Sequence, residues 1–69
     1  MLKRDFLRDL MTQSGLTVSA LADAVGVSRQ TVYRWEDPTY PHPPSLPQAR
    51  ALADLAGCSI EKVAQVFSP

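Results

Sequence analysis

The sequence predicts an all-α fold of five short helices, on three observations. Apolar residues recur at helical spacing, and no segment alternates polar and apolar residues in the manner of a strand. Ser or Thr precedes each apolar stripe after the first, at Thr17, Ser28, Ser45 and Ser59, where a side-chain oxygen can satisfy a free helix N–H. A stop follows each of the first four stripes: Gly15, Gly26, Pro38 and Gly57.

The first helix is expected over about residues 2–13, with Phe6, Leu7, Leu10 and Met11 as its stripe. The second begins after Thr17 and turns Leu21, Ala22 and Val25 inward. Gly26 closes it after only about eight residues. Only Gly26 and Val27 lie before the next cap, Ser28, so the chain must turn sharply there. In the third helix Val32 and Trp35 point inward, and Arg29, Gln30, Tyr33 and Arg34 fall on the opposite side. Residues 38–44 hold four prolines and should form an extended, stiff loop. Ser45 caps a fourth helix that tolerates Pro47 in its first turn, with Leu46, Ala49, Leu52, Ala53 and Ala56 as its stripe. Ser59 caps a short fifth helix, in which Ile60, Val63 and Phe67 share a face.

Size and composition limit the possible functions. The 69 residues suit one small domain spanning 1–69, and 45% hydrophobic with 20% charged residues is a folded rather than a disordered balance. A core of this size supplies only ~3–5 kcal/mol of net stability, so oligomerisation is a natural support. A lone cysteine, Cys58, excludes an internal disulfide, and with a lone histidine, His42, it is too little for a closed zinc site. No cofactor, metal or small-molecule ligand is expected. Seven Lys and Arg balance seven Asp and Glu, which counts against a nonspecific nucleic-acid coat but leaves room for a local basic face. No membrane span or signal peptide is evident, so an intracellular, cytoplasmic location is expected by elimination.

The informative segment is TVSALADAVGVSRQTVYRWE, from Thr17 to Glu36. Two short helices joined by a glycine-containing turn have the geometry of a helix-turn-helix. The major groove admits one α-helix, and residues of its first turn reach base edges. Arg29 can bridge guanine O6 and N7, and Gln30 can bridge adenine N6 and N7. Tyr33 and Arg34, one turn on, can reach a thymine methyl or a flanking phosphate. Base contacts are therefore assigned to Arg29, Gln30 and Tyr33. Backbone contacts are assigned to Thr17, Ser19 and Ser28, because a helix N-terminus attracts phosphate, and to Arg34 as a second, cationic anchor.

LADAVGVSRQTVYRWE resembles the LA-x-x-x-GVS-x-x-T-[IV]-x-x-WE signature of the lambda-repressor-like, Cro/C1-type (XRE) helix-turn-helix family. Leu21, Ala22, Gly26, Val27, Ser28, Thr31, Val32, Trp35 and Glu36 match. PSLPQARALADLAGCSIEKV, from Pro44 to Val63, is similar to the family's downstream segment, and the likeness covers about residues 6–67. The resemblance implies a compact five-helix DNA-binding domain acting as a sequence-specific transcriptional regulator. A Cro-like or repressor-like phage or prophage protein is the implied setting. The partner would be a double-stranded DNA operator, bound by a weak homodimer that forms on DNA. The end of the last helix is the expected dimer contact, through Val66 with Phe67 beside it.

Several positions depart from the family pattern. Val18 stands where many members carry a phosphate-touching Gln. Met11 stands where many carry an Arg that pairs with the Glu after the Trp, so Glu36 is expected to lack that partner. Loop 38–44 has no Lys or Arg, and Asp37 lies near the expected path of the DNA backbone.

Simpler readings exist for most single residues. Charged side chains on one helix are commonly just solvated, and Tyr33 is as well suited to packing on the loop. Trp35 is read as core, His42 as an exposed loop residue, Cys58 as a small buried filler, and Asp5 and Asp9 as the wet side of the first helix. No carboxylate pair, activated nucleophile or phosphate-binding glycine loop supports an enzyme. The rival to DNA binding is a protein-interaction module, an antitoxin or adaptor using the same fold. The neutral charge and the uncharged proline loop favour that rival.

Overall fold

The computed structural model describes residues 2–68. Five helices follow in order: α1 (Lys3–Ser14), α2 (Val18–Val25), α3 (Arg29–Glu36), α4 (Leu46–Ala56) and α5 (Ile60–Val66). No strand occurs among the described residues. The fold is all-α, as the periodicity predicts.

The caps fall where the sequence places them. Thr17, Ser28, Ser45 and Ser59 each accept a hydrogen bond from the backbone N–H three residues on. Such a bond satisfies one of the donors that a helix start leaves unpaired, and each is worth ~1 kcal/mol. At α4 the cap is reciprocal: the Ser45 N–H donates to Gln48 Oε1 at 2.8 Å. The Ser-x-x-Gln spacing carries that signal in the sequence. The first helix differs, since Leu2 precedes it without any side-chain cap bond.

Gly26 makes the turn between α2 and α3 possible. Its φ of 83° lies in the left-handed region, and its N–H and that of Val27 both donate to the Ala22 carbonyl. A side chain at this φ would strain the backbone. The chain thus reverses within three residues and α3 starts at once.

The helices pack around one core. The α1 helix rests on α3 and α4, α2 on α3 and α4, and α4 on α5. Leu7, Leu21, Val32 and Leu52 lie fully buried at the centre. Phe67 stands between two other rings, with its centroid 6.3 Å from both Phe6 and Trp35 in edge-on contacts. This aromatic chain joins α1, α3 and the end of α5.

Four expectations change. Leu46 is not part of the α4 stripe; it is 67% exposed, because the first residue of a helix projects beyond the turns that pack. Phe67 caps the C-terminus of α5 and is buried at 5% exposure between Phe6 and Trp35, in the core as the face it shares with Ile60 and Val63 predicts, so it is not available for an outer contact beside Val66. Val66 is half-buried, as are Val25 and Cys58. The proline loop does not begin extended. The Tyr40 N–H donates to the Asp37 carbonyl at 3.1 Å, closing a tight turn, and the irregular stretch starts only at Pro41.

Candidate nucleic-acid interface

The two sides of α3 have different environments. Val32 and Trp35 are buried, and Arg29, Gln30, Tyr33 and Arg34 are all exposed. Residues three and four apart share a helix face, so these four form one outward strip two turns long. Tyr33 remains 53% exposed, which argues against its being a ring packed on the loop. The strip presents two guanidinium groups, one amide and one phenol, all able to hydrogen-bond.

The neighbouring start of α2 brings Thr17 and Ser19 to the surface. The Ala20 N–H donates to Thr17 Oγ1 at 3.1 Å, which uses the hydroxyl as acceptor and leaves its proton to donate elsewhere. The N–H groups of Val18 and Ser19 precede the first intrahelical bond. Ser28 is less free. Its Oγ accepts from the Thr31 N–H at 3.2 Å and shares a hydrogen bond with Thr31 Oγ1 at 3.1 Å. A phosphate at Ser28 would compete with this local pair.

Charge on this part of the surface departs from the overall neutrality. The exposed side chains of α2 and α3 that carry charge at neutral pH are Asp23, Arg29 and Arg34. The remaining carboxylate, Glu36, is buried, and it does not lack a partner. Arg8 Nε lies 2.7 Å from Glu36 Oε2, and Arg8 Nη2 donates to Glu36 Oε1 at 3.0 Å. The first contact is ionic without hydrogen-bond geometry, so Oε2 is satisfied by charge alone. Met11 is in the core, and Arg8, one turn earlier on the same side of α1, supplies the cation. This pair removes a negative charge from the outward face and ties the last turn of α3 to α1.

The turn after α3 holds a second carboxylate. Asp37 Oδ1 accepts from the Thr39 N–H at 2.9 Å and from the Thr39 hydroxyl at 2.8 Å. These bonds, the backbone one foremost, hold the Asp37 carboxyl below its ordinary value, with Lys3 adding a smaller attraction. Lys3 Nζ donates to the Tyr40 carbonyl at 2.9 Å, which fixes the turn against the start of α1. A carboxyl with a lowered folded pKa stabilises above the unfolded value and loses that contribution as pH falls through the folded one. The Thr39 amide proton is therefore expected to titrate with a midpoint below that of an ordinary aspartate. Asp37→Asn should abolish the titration, and a midpoint at the ordinary value would show that the Thr39 bonds do not persist in solution.

Sequence reasoning placed the four residues of the α3 strip and the Thr17 cap correctly at the surface. It missed Arg8, whose long side chain reaches one turn further than a position-by-position match suggests. His42 is exposed as expected, with its ring edge-on to Tyr40 at a centroid distance of 5.4 Å. Among the described residues no helix is long and apolar enough to cross a membrane.

No curated protein and no solved structure matches the chain. One family model does, described as a helix-turn-helix domain, and it aligns with residues 4–66. That span includes the α2–turn–α3 unit with its exposed strip, and nearly all of the packed core around it. With the fold, the tight turn at Gly26 and this alignment in agreement, the chain belongs to the helix-turn-helix DNA-binding family.

Proposed function

We propose that this chain is a sequence-specific regulator of transcription that reads the major groove of double-stranded DNA with α3. In this reading residues 1–69 act as one domain of Cro-like or repressor-like type, as in phages and prophages, that occupies an operator and blocks polymerase sterically. The observation that carries it is the segregation of α3: Arg29, Gln30, Tyr33 and Arg34 outward, Val32 and Trp35 locked in the core. Support comes also from the Arg8–Glu36 pair, which leaves the strip with a basic excess.

Arg29 and Gln30 take the base-reading roles, with Tyr33 one turn beyond. Thr17, Ser19, Ser28 and Arg34 hold the backbone. One recognition helix covers only a few base pairs, so two copies on half-sites roughly 34 Å apart supply the discrimination.

Selection of oligonucleotides from a random pool, followed by titration of the winning sequence, tests this. Arg29→Ala or Gln30→Ala should each cost ~1–3 kcal/mol on that sequence and relax one base position. Arg34→Ala should lower the salt slope by about one unit and keep the preferred sequence. Equal losses on selected and random DNA would reduce Arg29 and Gln30 to phosphate contacts. A complete lack of DNA binding at low salt would favour a protein-interaction module, for which the uncharged proline loop is the supporting feature.

A further inference from the structure

The proline loop lies outside the α3 strip, and its backbone is short of donors. Pro38, Pro41, Pro43 and Pro44 carry no N–H. The Thr39 N–H is used on Asp37 Oδ1, and the Tyr40 N–H on the Asp37 carbonyl. His42 therefore holds the one backbone donor between Pro41 and Pro44. Among the described residues no hydrogen bond reaches the carbonyls of that stretch.

The same prolines fix its shape. A proline holds its own φ at about −65°, and the residue before a proline is driven to extended backbone. Every residue from Tyr40 to Pro44 is a proline or precedes one. Ser45, which follows, has φ −64° and ψ 167°, close to polyproline II values. Both ends are anchored: Lys3 Nζ donates to the Tyr40 carbonyl, and the Ser45 N–H donates to Gln48 Oε1. Between the anchors Pro41, His42 and Pro43 are exposed, and Pro44 is half-buried.

We infer that Pro41–Pro44 is a docking segment for a partner protein that reads polyproline II through a groove lined with aromatic rings. Such grooves pack rings against prolines, and their side-chain N–H and O–H groups can donate to the carbonyls between them. The segment offers what that chemistry needs: exposed pyrrolidine rings, unclaimed carbonyls and a conformation held at both ends. Little ordering is then lost on binding. DNA is the poorer occupant, because phosphate is held by donors and cations, and this stretch presents mainly carbonyl oxygens. A partner pairing with it as an added strand would need the N–H groups that the prolines remove. The inference concerns a surface apart from α3 and does not rest on the DNA reading.

Nitrogen-15 spectra of the full chain test it, with a purified WW domain and a purified SH3 domain as the probes. The expected result is weak, saturable binding of at least one probe, with shifts centred on the His42 and Tyr40 amides. A proline-rich peptide that fills the probe's own groove should reverse them. Pro41→Ala combined with Pro43→Ala should weaken binding by about tenfold, since both the rings and the fixed conformation are lost. Both prolines are exposed, so the double variant keeps the core, and a retained cooperative thermal transition checks this. The inference is overturned if neither probe shifts His42 at millimolar concentration, if the peptide does not compete, or if the double variant binds as well as the parent. Shifts of His42 with duplex DNA but with neither probe would make the loop a phosphate contact and overturn it too. The probe titrations contain no DNA, so their outcome is separate from whether α3 reads an operator.

Discussion

Trp35→Ala is expected to leave the chain without a cooperative thermal transition. Trp35 is 3% exposed and forms one end of the Trp35–Phe67–Phe6 aromatic chain. Truncating a buried aromatic costs ~3–5 kcal/mol, the sum of lost transfer energy and the cavity left behind. A domain of 69 residues has a total stability of roughly 3–10 kcal/mol, so a single deletion of this size consumes much or all of it. The damage extends beyond α3, because Phe67 would lose one of the two rings that hold the end of α5. Trp35→Phe, which retains a ring, should remain folded with a lowered melting temperature. Circular dichroism during a thermal scan decides: a sharp transition for Trp35→Ala within a few degrees of the parent would show that the aromatic chain contributes little.

The second large effect is expected at Arg8. Its guanidinium covers both oxygens of Glu36, whose side chain is only 8% exposed, whereas that of Arg8 is 48% exposed. Removing one partner of a buried pair costs ~3–5 kcal/mol, because a charge stays behind in a poor solvent. Water can approach from the Arg8 side, so roughly 2–3 kcal/mol is the better figure for Arg8→Ala. In a domain of this length that lowers the melting temperature by about 10–20 °C. Replacing the charge as well, in Arg8→Ala with Glu36→Gln, should recover part of the loss, since a neutral amide is cheaper to leave buried. A double-mutant cycle measures the coupling. A loss under ~0.5 kcal/mol for Arg8→Ala would place the pair among ordinary surface ion pairs.

How far the sequence could be read varied with the physics of each feature. Caps and stops are local, and Thr17, Ser28, Ser45, Ser59 and the three C-terminal glycines declare themselves within four residues. The alternation of buried and exposed positions along α3 is equally local, so Val32 and Trp35 were separable from Arg29, Gln30, Tyr33 and Arg34 by spacing alone. Three features depended on parts of the chain far apart in sequence. Arg8 meets Glu36 across 28 positions, and which residue of α1 serves depends on side-chain reach and helix rotation. Spacing in α5 puts Phe67 on the inner face with Ile60 and Val63, but that Phe6 and Trp35 converge on it there is set by distant parts of the chain. Leu46 obeys the stripe of α4 yet stands exposed, because the stripe rule assumes a neighbour along the whole helix. What Arg29 and Gln30 touch is a property of a complex, and only the chemistry of their side chains is present in the chain.

The brevity of the helices bears on how the protein would respond to heat or to a ligand. None exceeds 12 residues, and α2 and α3 have eight each. Isolated helices this short are marginal in water, because the cost of nucleation is spread over too few bonds. A peptide carrying only Thr17 to Glu36 would therefore lack a preformed reading surface. The outward strip of α3 exists only while α1 and the end of α5 hold its other side. Affinity and folding are then one equilibrium, and any molecule that grips α3 raises the melting temperature with its own concentration. Warming that melts the core would release such a molecule in the same step, so the domain's own stability sets the temperature above which it lets go.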